Sequence, residues 1–121
     1  MFPNIIEQSA IISHQDITVD SILPEHKNLT SLTIEHCTSK VWKKVGKALA
    51  SLWTLQSLTL LHCNTKDDFC RELTKSKCLL RLRMGTCLLD EENCGITEEG
   101  VRHITNIRQI EELTLGKFSN Y

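Results

Sequence analysis

Aromatic residues are scarce in this 121-residue chain, which holds two Trp, one Tyr and three Phe. That leaves no aromatic platform on which successive bases would stack. An excess of charge is missing too, since the formal net charge is −1 at pH 7. The electrostatic footprint of a nucleic-acid or membrane-surface binder is therefore absent. No apolar run reaches the length of a membrane span, and Met1-Phe2-Pro3-Asn4 does not begin a secretory signal. The G-x-x-x-x-G-K-[ST], G-x-S-x-G and H-E-x-x-H motifs are also lacking. Phosphate-loop, serine-hydrolase and zincin chemistry thus find no support, and no cofactor is expected. A Cys–His nucleophile, as in a small cysteine hydrolase, is the remaining enzyme reading.

What the chain has instead is a repeated pattern. Leu55, Leu58, Leu60 and Cys63 read L-x-x-L-x-L-x-x-C. Leu29, Leu32, Ile34 and Cys37 match it, as do Leu79, Leu82, Met84 and Cys87. Ile110, Leu113 and Leu115 form a fourth copy, with Phe118 at the cysteine position. Starts at 29, 55, 79 and 110 give periods of 26, 24 and 31 residues, the signature of a repeat array. In L-x-L the two apolar residues face one side of a strand and the residue between faces the other. One repeat cannot bury its leucines alone, whereas three or more stacked repeats can.

Parallel stacking of such strands requires crossovers, usually helical. Residues 41–52 carry Val45, Ala48, Leu49 and Leu52 at helical spacing. Residues 67–73 begin acidic and offer Phe69, Cys70 and Leu73 as a buried stripe. Residues 97–107 start with Thr97 as N-cap and Glu98 and Glu99 in the first turn, with Val101, Ile104 and Ile107 as the apolar face. Leu49, Leu73 and Ile104 each precede the next repeat start by six residues, so a constant helix-to-strand return is expected. Trp42 and Trp53 are expected to cover the helix ends, and Lys40, Lys43, Lys44 and Lys47 to lie on a solvated face. Ahead of the repeats, residues 2–12 are expected to form a helix or terminal cap, with Pro3 at an early helical position. Residues 16–20 alternate like a strand around Ile17, so a fifth strand is expected there, followed by an irregular return through residues 21–24.

The six cysteines admit a disulfide framework. Three of them fall at or near one repeat position, so stacked, buried, reduced thiols explain them better. His36-Cys37 and His62-Cys63 repeat as a dipeptide and invite a metal reading. No C-x-x-C or H-x-x-x-H pair accompanies them to fix a tetrahedron, and no metal is expected. Cys63 through Leu73 aligns with Cys94 through Ile104 at an offset of 31, against a strand spacing of 24. Seven extra residues therefore lie between Met84 and Cys94. Either Cys87 or Cys94 suits the ladder position.

The pattern resembles the cysteine-containing leucine-rich repeats of ribonuclease inhibitor and of the nucleotide-binding leucine-rich-repeat (NLR) immune receptors, over roughly residues 29–118. Gly95-Ile96-Thr97-Glu98-Glu99-Gly100-Val101 is similar to the linker-to-helix segment of NLR repeats. The resemblance implies an α/β solenoid arc, with about five short parallel strands on the concave side and helices on the convex side. Residues 1–28 would form an N-terminal cap or partial repeat, 29–54, 55–78 and 79–109 repeats, and 110–121 a terminal partial repeat. It further implies a non-enzymatic, cytoplasmic protein-interaction module, the ligand-sensing or autoinhibitory part of an NLR-like innate immune receptor. A free-standing ribonuclease-inhibitor-like protein and the substrate-recognition repeats of an F-box ubiquitin-ligase adaptor are the alternatives. The partner is expected to be a protein rather than nucleic acid or membrane, with open solenoid ends favouring self-association. Its expected contacts are Thr33, Glu35, Thr59, Leu61, Arg81, Arg83, Glu112 and Thr114 on the concave face, and the acidic insertion residues Asp90, Glu91 and Glu92 at the rim. An Arg–Glu pair between neighbouring strands is the plainer reading of Arg81, Arg83 and Glu112, and would contribute little if exposed.

Overall fold

The computed structural model describes residues 8–22, 28–85 and 96–115. Among these, five strands alternate with helical segments: β1 (Ser9–Ser13), β2 (Ser31–Glu35), α1 (Trp42–Ala50), β3 (Ser57–Leu61), α2 (Lys66–Leu73), β4 (Arg81–Met84), α3 (Glu98–Thr105) and β5 (Glu112–Leu115). The strands form one sheet in chain order, each parallel to the next. The fold is thus α/β with a five-stranded parallel sheet. Its register places Leu32, Leu58, Leu82 and Leu113 side by side, and Ile34, Leu60, Met84 and Leu115 in the adjacent row. Each strand begins alike. The carbonyls of Gln8, Thr30, Gln56 and Leu80 each accept two successive backbone N–H groups from the following strand.

All the described helices lie on one face of the sheet. Leu32, Ile34, Leu58, Leu60, Leu82 and Met84 join Val45, Leu49, Phe69, Leu73, Ile104 and Ile107 in one buried core. Gly46 lets α1 approach α2 closely, because a Cβ there would sit 3.0 Å from the Phe69 carbonyl oxygen. Trp42 meets the Phe69 ring edge-on at a centroid distance of 5.5 Å. The helix-to-strand returns share one geometry: the N–H groups of Leu52, Ser76 and Ile107 donate to the carbonyls of Leu49, Leu73 and Ile104. That constancy follows from the six-residue spacing. The buried thiols of Cys37 and Cys63 donate backwards, to the carbonyls of Ile12 (3.5 Å) and Ile34 (3.4 Å) in the preceding strands. Neither cysteine is disulfide-bonded, and the same holds for Cys70 and Cys78. Cys87 and Cys94 lie outside the described residues, as do the insertion and Phe118.

Three local expectations are corrected. The fifth strand is Ser9–Ser13 and not residues 16–20, where Asp16 makes an isolated bridge with Thr38 and Val19–Ser21 form a 3-10 turn. A helix reaching residue 12 is likewise excluded, while residues 2–7 lie outside the described residues. The pairing of Ser9 with Ser31 sets an offset of 22 residues, shorter than any later one. At that offset Ala10 and Ile12 take the L-x-L positions and Gln15 the cysteine position, so the pattern is diluted beyond recognition. Ile17 is wholly buried but beyond the strand, where its N–H donates to the Thr38 carbonyl at 2.8 Å. Finally, Trp42 is buried as expected, whereas Trp53 is 84% exposed and covers no helix end.

Candidate functional site

The face of the sheet turned away from the helices carries the side chains that alternate with the core residues. Three columns run across it. Ser31, Ser57, Arg81 and Glu112 form one; Thr33, Thr59, Arg83 and Thr114 form the central one. Glu35 and Leu61 form the third, and Gly85 continues it. No helix among the described residues covers this face, and Arg83, Glu112 and Thr114 are exposed. Asp90, Glu91 and Glu92 lie outside the described residues.

β1 adds to the central column a residue that the repeat pattern does not mark. Ile11 stands beside Thr33 and is 68% exposed. An isoleucine in that setting is held in solvent by the strand register, because its neighbours Ala10 and Ile12 face the core. The only signal in the sequence was the short alternation Ser9-Ala10-Ile11-Ile12-Ser13, without a leucine or cysteine to mark it. Leu61 is half-buried because it lies across Gly85, where a Cβ would fall 2.9 Å from its Cδ2. Arg81 and Glu112 are register neighbours, yet no ion pair joins them among the described residues. The face therefore carries one exposed isoleucine between two serines at β1, and is rich in hydroxyls at β2 and β3, cationic at β4 and anionic at β5.

A row of histidines borders the face at the C-terminal ends of the first three strands. His14, His36 and His62 all adopt left-handed backbone (φ 55, 53 and 56), a conformation that histidine tolerates better than most side chains. The kink ends each strand and turns the chain down toward the helix layer, and the imidazoles stack. Ring centroids are 4.9 Å apart between His14 and His36 and 4.5 Å between His36 and His62. Among the described residues no group of three or more His, Cys, Asp or Glu is arranged to hold a metal ion. The histidines thus face the strand ends while Cys37 and Cys63 face the core.

Cys70 lies on the core side of α2. Burial, assisted by the nearby Asp67 carboxylate, pushes its thiol from an ordinary 9.0 up to about 12. A thiol held protonated at neutral pH is a poor nucleophile. Asp67 also joins two helices. Its carboxylate accepts from the Thr97 N–H (2.8 Å) and the Thr97 hydroxyl (2.6 Å), tying α2 to the start of α3. The same hydroxyl accepts from the Glu99 N–H and so caps α3.

No protein-family model matches this chain, and no curated protein or solved structure matches it either. No helix among the described residues is long and apolar enough to cross a membrane.

Proposed function

We propose that this chain is a leucine-rich-repeat solenoid arc of the ribonuclease-inhibitor and NLR type, working as a non-enzymatic protein-recognition module. One observation carries the reading: a parallel sheet in strict chain order with all its described helices on one face. Parallel sheets are normally covered on both faces. Here no described element covers the second face, which carries Ser, Thr, Arg and Glu together with the exposed Ile11. Such a surface suits a protein partner, with Thr33, Thr59, Arg81, Arg83, Glu112 and Thr114 as contacts. Buried cysteines without a disulfide favour a reducing, cytoplasmic setting. Within that class the ligand-sensing or autoinhibitory repeats of an NLR-like receptor are the role we favour.

The test is comparative. Wild-type chain and the double variant Arg81→Glu/Arg83→Glu are used to capture binding proteins from cytosol. A partner retained by the wild type and lost by the variant is the expected result. Capture of the same proteins by both, with equal thermal stability, would remove the open face from consideration. The mass of the native polypeptide then separates the roles. Several hundred residues or more fit a receptor or adaptor, and a product near 13.8 kDa fits a free-standing module.

A further inference from the structure

Trp53 is the largest apolar side chain exposed among the described residues, at 84%. A tryptophan left in water is costly, and such residues concentrate where one protein meets another. This one divides two open clefts. The first, of about 510 Å³, is lined by Ala50, Leu52 and Trp53 with Lys75, Lys77 and Cys78 of the next helix-to-strand return. The second, of about 440 Å³, shares Leu52 and Trp53 and adds Asn28, Ser51 and Thr54. Hydrogen bonds fix both returns. The Thr54 hydroxyl donates to the Leu29 carbonyl (2.7 Å), fastening the return that carries Trp53 to the one before it. In the next return the Ser76 hydroxyl accepts from the Leu79 N–H (3.1 Å), and the Gln109 side-chain amide donates to the Ser76 carbonyl (2.9 Å). The clefts are thus formed before anything binds, which lowers the cost of binding.

Charge selects the occupant. No acidic side chain is among the described residues lining either cleft. Lys75 is drawn to the buried Glu72, with Nζ 3.0 Å from Oε1. Lys77 is exposed, and no ion pair engages it among the described residues. The unmatched charge beside this apolar surface is therefore positive. We propose that Trp53 and its two clefts dock a short acidic segment of a partner protein. An apolar side chain of that segment packs on Trp53 and Leu52, and a neighbouring carboxylate pairs with Lys77. An extended chain crossing the ring fills both clefts, whereas a compact ligand fills only one. The uncharged polar groups of Asn28 and Ser51 suit the segment's backbone. This surface lies on the returns and does not depend on what the open face of the sheet binds.

The full chain, kept dilute, is screened against a library of short peptides that place Asp or Glu beside Leu, Ile or Phe. A matched library carries Asn and Gln in their place. Trp42 is buried, so the long-wavelength part of the tryptophan emission belongs to Trp53 and reports on the site. Saturable binding by members of the acidic library is expected, with Trp53 emission moving to shorter wavelength. Bound peptide should also slow maleimide labelling of Cys78, which lines the first cleft. Trp53→Ser should weaken binding by about thirtyfold, the loss typical of an interface anchor, with thermal stability unchanged. Lys77→Gln should weaken it by about threefold, as for a rim charge. Lys44→Gln, exposed on α1 but outside both clefts, should leave affinity unchanged. Absence of binding across the acidic library, equal binding of the amide library, or full affinity in Trp53→Ser overturns the assignment. So does binding that leaves Cys78 labelling unaltered, or an emission shift that grows with protein concentration alone, which would make a second copy the occupant.

Discussion

Leu58 is wholly buried in the middle strand, between its register neighbours Leu32 and Leu82. Its replacement by Ala should cost about 2–5 kcal/mol, measured by denaturant unfolding, as for other large-to-small core changes. The cysteines differ by environment and so by reactivity. Cys37, Cys63 and Cys70 are buried and Cys78 is half-buried. A maleimide should therefore modify Cys78 first among these four in the folded chain, and the other three only after denaturation; rapid native labelling of Cys63 would contradict the register. Cys70 also sets a pH dependence. Its folded value near 12 lies above the ordinary 9.0, so the folded chain holds this proton more tightly than the unfolded chain. The associated stability is complete below pH 9 and is lost as pH rises toward about 12. Cys70→Ala should flatten that decline relative to the wild type, and identical pH profiles would show that the thiol is solvated.

Elements are joined in this protein by small, specific contacts as much as by the core. α2 holds α3 through the Asp67–Thr97 clamp. Gly100 sits against the Asp67 carboxylate, where a Cβ would collide with Oδ1, so the clamp needs a glycine at that turn of α3. The clamp is measurable by a double-mutant cycle. Asp67→Ala and Thr97→Ala should couple by about 0.5–3 kcal/mol, as residues in direct contact do. Strict additivity would mean that α3 is capped independently of α2. At the opposite end of the sheet Ser39 makes a similar junction, its hydroxyl donating to the Ile17 carbonyl (2.7 Å) and accepting from the Val41 N–H (3.0 Å).

Across the whole molecule the strand order leaves β1 and β5 with one paired neighbour each among the described residues. Leu113 occupies a core position of β5 yet is 36% exposed, unlike its buried register neighbour Leu82. Parallel edges with apolar exposure recruit further strands. The chain should therefore self-associate as its concentration rises, seen as a growing mass by light scattering. A strict monomer at high concentration would show that β5 is closed.

The three repeats with leucine and cysteine in place were legible from the residues because burial on one strand face enforces period two. The six-residue return enforces the phase of the next strand, so β2 to β5 and their register followed from Leu32, Leu58, Leu82 and Leu113. The columns of the open face came with them, since a strand that buries alternate residues must present the others. Local chemistry also revealed Thr97 as a cap. Only the tertiary structure decided the rest. β1 lacks the marking leucine and cysteine, so its pairing, and with it the exposure of Ile11, rests on partners 22 residues away. The histidine stack depends on three separate strands ending in the same left-handed turn. The fate of Trp53 depended on whether neighbouring elements reach it, and they do not. Periodicity records which residues one element must bury, whereas a site is made where different elements meet.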